Sequence, residues 1–169
     1  FIKAYDDHSD AIFRHCYFRV FERERAKELT QEVFIKTWEY LRNGQEVKNL
    51  RAFLYRVANN LVIDESRKKK ANSLEAMQEQ GFDPKDDTHS RLLNFVEGGE
   101  MIRMLDQLEP KLRQAVMMRY LDDLDIKEIA AALEETENNI SVRLHRGLEK
   151  IRKIYNENAI PLEVQQNHE

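Results

Sequence analysis

A chain of 169 residues with a net charge of −4 is long enough for one domain or two small ones. A mean hydropathy of −0.71, 34% charged residues and no apolar run near bilayer length set aside a helical membrane-spanning protein, and a reducing cytoplasm is the expected setting. One cysteine, Cys16, excludes an internal disulfide, and His8, His15, His89, His145 and His168 lack ligand spacing, so no metal or cofactor is expected.

Scarce glycine (5) and proline (3), together with helical periodicity, predict an all-α fold. Ile12, Phe13, Cys16, Tyr17 and Val20 recur at three- and four-residue spacing and predict a helix over 5–22. A second helix, over 25–41, carries Leu29, Val33, Phe34, Trp38 and Leu41 as one apolar stripe. Asn43-Gly44 ends it, because both residues tolerate the left-handed conformation. Asn49 then caps a third helix to about Lys69, with Leu50, Phe53, Leu54, Val57, Ala58 and Leu61 inward. Facing stripes of this kind close one core, giving a first domain over 1–70.

Periodicity fails from Ala71 to about Gly99, where Gly81, Pro84, Asp86-Asp87 and Gly98-Gly99 punctuate a polar stretch. The expectation is a flexible acidic linker over 71–100, with one short helix near 90–97. Helical patterning returns with Met101, Met104, Leu105 and Leu108, and Glu109-Pro110 stops it, since the residue before proline avoids the helical region. Helices over 111–121, 126–133 and 137–155 complete a second domain, 101–169. The fold class is therefore two small helical domains joined by a linker.

Residues 125–146 read as a helix-turn-helix. Ile129 and Leu133 point inward, small Ala130 permits a close crossing, and Ile140, Leu144, Leu148 and Ile151 anchor the second helix. Thr136 is the expected N-cap. Facing outward are Asn138, Asn139, Ser141, Arg143, His145 and Arg146, side chains able to bond base edges or phosphates. Such turns usually hold glycine, and a left-handed Glu134 would cost about 1 kcal/mol, so a turn of different shape is expected. Charge is unevenly spread: six basic residues face two acidic ones over 51–70, five face two over 136–155, and three face nine over 71–110. Two basic patches around an acidic stretch fit contact with a polyanion at two places, or simply solvated faces.

The run L-E-P-K-L-R-Q-A-V-M-M-R-Y from Leu108, then I-K-E-I-A-A-A-L from Ile126 and N-I-S-V-R-L-H-R-G-L from Asn139, resembles region four of the bacterial sigma family. A-K-E-L-T-Q-E-V-F-I-K-T-W from Ala26 resembles region 2.2, and the stretch from Leu50 through Lys70 resembles regions 2.3 and 2.4. No region three intervenes, which marks the extracytoplasmic-function class.

The resemblance implies a non-enzymatic partner of core RNA polymerase that recognises and melts promoter DNA. It assigns polymerase binding to Glu28, Leu29, Gln31, Glu32 and Phe34, although Leu29 and Phe34 also lie on the core stripe. It assigns the minus-ten element to the loop 43–49 and the helix after it. Asn60 is the first candidate for reading an extruded base and Asn59 the second. Arg51, Arg56, Arg67, Lys68 and Lys69 are phosphate contacts. Asp64 orients a neighbouring base or arginine, and Tyr55 either stacks on a base or packs between helices. Region four would read the minus-thirty-five element through the outward set from Thr136 to Arg146. Ser141 stands where the family commonly has a basic residue, which puts the usual sequence preference in doubt. Asp83, Asp86 and Asp87 of the linker would mimic phosphates inside polymerase. An anti-sigma factor is a further expected partner, and no membrane contact is. Two competing readings are a conventional helix-turn-helix regulator, which leaves residues 25–41 unexplained, and a sigma-like protein held by another recruiter.

Overall fold

The computed structural model describes residues 2–79 and 99–158, all of them helix or short connection. The first unit comprises α1 (Ile2–Val20), α2 (Arg23–Arg42) and α3 (Leu50–Glu79). The second comprises α4 (Gly99–Asp106), α5 (Pro110–Tyr120), α6 (Ile126–Leu133) and α7 (Glu137–Asn158). Helix α3 runs past its expected end near Lys69, so helical backbone enters the stretch read as linker. The expected short helix near 90–97 and the three linker aspartates lie outside the described residues.

Local chemistry sets the helix ends. Phe21 takes a left-handed φ of 54° to stop α1, and its amide bonds the Tyr17 carbonyl at 2.8 Å. No glycine advertises this break. Only Gly44 of the Asn43-Gly44 pair is left-handed, at φ 77°. Asn49 caps α3 as expected, its Oδ1 accepting the Ala52 amide at 2.9 Å. Pro110 opens α5, where its missing N–H costs nothing. Asp125 and Glu128 form a reciprocal capping box at the start of α6.

Ile12, Cys16, Leu29, Val33, Phe34, Leu54 and Ala58 fill the first core, and Leu105, Leu108, Val116, Met118, Ile129 and Ile140 fill the second. Two members of the predicted stripes are not inside. Trp38 is 44% exposed, lying under the Arg42 guanidinium at 4.7 Å, and Met101 is 51% exposed. The two cores are continuous: α3 lies along α6, and the buried side chains of both units form one cluster. Beside that seam runs an open apolar groove lined by Phe18, Val62, Ile63, Leu105, Met117 and Leu121.

Helices α5 and α7 cross closely because Gly147 has no side chain. A Cβ there would sit 2.6 Å from Val116 Cγ2, and a β-branched side chain has little freedom to turn away. Gly147→Ala is therefore expected to destabilise the second unit by about 1–3 kcal/mol. Thermal unfolding followed by circular dichroism measures it, and an unchanged melting temperature would show that Val116 relaxes freely.

Candidate nucleic-acid interface

The helix expected to meet DNA, α3, has two different outward stretches. Toward its C-terminal half, Asn60, Asp64, Arg67, Lys68 and Lys69 face solvent. Asp64 lies 3.6 Å from Arg67, and Lys69 reaches loosely toward Glu22 at 3.8 Å. Pairs this exposed are weak and easily exchanged for phosphate.

The N-terminal half of the same helix meets the second unit. Arg51 holds both carboxylate oxygens of Glu128, at 3.1 and 3.0 Å, and donates to the Asp123 carbonyl at 3.0 Å. Arg56 pairs with Glu134 at 2.9 Å. Asn59 is buried and accepts from Gln114 Nε2 at 2.6 Å. Tyr55 is 1% exposed, packed edge-on against His15 with ring centres 5.1 Å apart, and burial pushes its hydroxyl up to about 12. Of the two roles open to Tyr55, the structure shows helix packing.

At the centre of this contact Asp122, from the connection after α5, inserts its carboxylate beneath α1. His15 Nδ1 and Arg19 Nη2 each donate to Asp122 Oδ2 at 2.8 Å, and Arg19 Nη1 also bonds the His15 carbonyl at 2.9 Å. Burial alone would push the Asp122 carboxyl up, but the His15 hydrogen bond and the charge of Arg19 hold it below the usual range. Burial, reinforced by Arg19, lowers His15 to about 4 against the hydrogen bond and charge of Asp122. His15 is therefore a neutral donor, and the charge partner of Asp122 is Arg19. A neutral imidazole donating through Nδ1 leaves Nε2 as an acceptor, which is buried and has no hydrogen-bond partner among the described residues. Neither His15 nor Asp122 was legible as a site: a lone histidine between core positions carries no motif.

The second basic surface is α7. Thr136 caps it as expected, its Oγ1 accepting the Asn139 amide at 3.2 Å. Asn138, Asn139, Ser141, His145 and Arg146 are exposed along one face. Ser141 turns back to bond the Glu137 carbonyl at 2.9 Å, and Asn139 Nδ2 donates to Glu135 at 3.1 Å. Arg143 differs from expectation: its side chain is largely covered and paired with Glu135, so it orients the turn as much as it faces outward. Glu134 corrects another expectation. It adopts the left-handed conformation after all, at φ 56°, and the turn keeps the ordinary geometry that glycine would give.

On α2, Glu28 and Gln31 are exposed and Glu32 is half-exposed, 3.6 Å from Lys36. Leu29 and Phe34 are core residues, 1% and 3% exposed, which removes them as direct contacts. The apolar part of this face comes instead from Ile35 and Trp38, which with Tyr5 and Gln31 border a shallow groove. Trp38 was read as core because its spacing matches the stripe. Ile35 stands four residues after Gln31 and three before Trp38, on one helical side with them but off the core stripe.

Comparison with known proteins agrees with this layout. Residues 4–72 match the family described as Sigma-70 region 2, and residues 99–151 match Sigma-70, region 4. The chain is 27% identical over 167 residues to the ECF RNA polymerase sigma factor SigW of Bacillus subtilis, covering 90% of this chain and 87% of that one. It is 29% identical over 149 residues to the ECF RNA polymerase sigma factor SigE of Mycolicibacterium smegmatis, covering 86% of this chain but only 57% of the relative. Two solved structures share the fold. CnrH in complex with the cytosolic domain of CnrY gives a TM-score of 0.67 at 17% identity, covering 92% of this chain and 86% of the other. The sigma factor RpoE in complex with the anti-sigma factor NepR, from Bartonella quintana, gives 0.69 at 15%, covering 92% and 96%.

The buried histidine makes the contact sensitive to acid. The folded chain holds His15 unprotonated down to about 4, whereas the unfolded chain takes up that proton near 6.5. The unfolded state then binds more protons in that window, so stability is complete above about 6.5 and falls as the pH drops toward 4. Asp122, whose carboxyl is also lowered, adds a loss of the same sign at the acid end. Thermal unfolding of the full chain is expected to shift downward between pH 7 and pH 5, with the shift reduced in His15→Gln. Equal shifts in the two proteins would remove His15 as the cause.

Proposed function

Because the chain belongs to the sigma-70 family, in its extracytoplasmic-function class, we propose that it docks on core RNA polymerase through α2, captures the minus-ten element on α3 and reads the minus-thirty-five element with α7. The observation that carries this is the presence on one chain of two basic helical faces in separate units, one of them the second helix of a capped helix-turn-helix.

In this reading Glu28, Gln31 and Glu32 supply charge beside the apolar pair Ile35 and Trp38, a composition suited to a basic amphipathic partner helix. Asn60 is the base-reading amide, since it stands exposed on α3 and an amide can pair with a Watson–Crick edge. Arg67, Lys68 and Lys69 hold phosphates and position the strand without reading it. Arg51, Arg56 and Asn59 would join them once free of the second unit. On α7, Asn138, Asn139, Ser141, His145 and Arg146 face the duplex, with Thr136 and Arg143 shaping the entry turn. The work is recognition and strand separation in the cytoplasm, without bond chemistry. A restraining protein of the anti-sigma kind is a further partner in this reading, as in the solved RpoE complex.

Glu32→Lys reverses charge on the α2 face without touching its core. It is expected to reduce retention on immobilised core polymerase severalfold, and unchanged retention of a folded variant removes α2 as the docking face.

Losing one base-reading hydrogen bond costs about 1–3 kcal/mol, so Asn60→Ala is expected to lower open complex roughly tenfold to a hundredfold. Arg67→Ala instead weakens binding across sequences and flattens its salt dependence. Permanganate footprinting of the melted strand separates the two, and full melting by Asn60→Ala would make Asn60 an ordinary surface amide.

A further inference from the structure

We propose that Val142 is a specificity-determining residue of α7, selecting a thymine in the minus-thirty-five element by packing its methyls on the thymine C5-methyl. The inference rests on the minus-thirty-five reading of α7 and names what that face recognises. Along the exposed side of the helix, hydrogen-bonding groups are unevenly committed. Ser141 donates to the Glu137 carbonyl, Asn139 and Arg143 both donate to Glu135, and His145 lies 3.4 Å from Glu149. Asn138, Val142 and Arg146 remain. Among the described residues neither Asn138 nor Arg146 has a side-chain hydrogen bond or ion pair. These three stand four residues apart, so they form one line up the helix, about 6 Å from one to the next. An amide, a pair of methyls and a guanidinium follow one another away from the turn.

Val142 is 40% exposed at the middle of that line. It takes no part in the second core, which Ile140 and Leu144 close from the opposite side of α7. A β-branched residue is a weaker helix former on a solvated face, so helix stability does not account for it. Phosphate binding does not either, because a methyl set against a charged oxygen removes water and returns no hydrogen bond. The same holds against guanine, cytosine and adenine, whose major-groove groups are donors and acceptors. Thymine alone offers an apolar group there, its C5-methyl. The stiff χ1 of valine holds both methyls in one direction, so little freedom is lost on contact. Asn138, one turn nearer the N-terminus, carries the amide that pairs with adenine N6 and N7. Amide and methyls together suit A·T pairs at neighbouring steps, with Arg146 left for guanine or phosphate.

Enrichment of a promoter library randomised at the minus-thirty-five positions, with the full chain bound to core polymerase, supplies the element. Each of its thymines, on either strand, is then replaced singly by deoxyuridine, which lacks the 5-methyl and keeps its pairing. Holoenzyme affinity for each duplex is measured at one salt concentration, since phosphate contacts make every such value salt-dependent. Losing the contact with one methyl is expected to weaken binding by the parent roughly three- to fivefold at one thymine. Val142→Ser is expected to bind both forms of that duplex equally well, and Val142→Ala to show a smaller loss than the parent. Position 142 is exposed, so both variants keep the fold, which circular dichroism verifies. A parent indifferent to every deoxyuridine, or a Val142→Ser protein with the parent's loss, overturns the inference. Arg146→Ala separates that failure from failure of the reading beneath it. If it weakens binding to the enriched element while deoxyuridine has no effect, α7 reads the element without Val142 touching thymine. If no minus-thirty-five sequence is enriched and Arg146→Ala binds as the parent does, the α7 reading fails and the inference with it.

Discussion

A single carboxylate, Asp122, fixes how the two units meet. A charge buried that deeply costs several kcal/mol unless it is paired and hydrogen-bonded, and among the described residues its side-chain partners come from α1. Further polar contacts across the seam lie around it. With Asp122 seated beneath Arg19, the adjacent carbonyls of Asp122 and Asp123 fall within reach of Arg51. The start of α6 then brings Glu128 to the same guanidinium, and its end brings Glu134 to Arg56. Glu128 has a double duty, since it also closes the capping box with Asp125. Helix initiation and domain contact are thereby coupled through one side chain.

Most of the architecture was legible because helical periodicity and capping chemistry are local. The boundaries of α6, the cap at Asn49 and the cap at Thr136 follow from residues within four positions of one another. Two of the errors share an origin. Trp38 and Met101 continue apolar stripes by spacing, yet the stripe outlasts the surface it packs on, and both end in solvent. Spacing also cannot say whether an apolar side chain meets its own domain or another molecule. Leu29 and Phe34 proved internal for that reason, while Ile35 escaped notice.

The candidate DNA surface was legible as a set of residue types, not as an arrangement. Arg51, Arg56, Asn59, Asn60 and Arg67 all occur on one helix with plausible chemistry. What separates the first three from the others is a contact across roughly fifty-five to seventy-eight positions of chain, and no local pattern encodes it. His15 illustrates the limit best. Among Ile12, Cys16 and Tyr17 it looks like an incidental polar residue at a core edge. Its role depends on an aspartate more than a hundred positions away.

The seam is not only ionic. Beside the Asp122 cluster lies the apolar groove of Phe18, Val62, Ile63, Leu105, Met117 and Leu121, contributed by both units. Parting the units exposes that surface to water, so separation carries a positive heat-capacity change, as any exposure of apolar area does. The apolar share of the contact weakens on cooling, whereas the buried Arg19–Asp122 pair responds little to bulk salt. The strength of the contact between the units thus follows a curved path with temperature instead of a straight one.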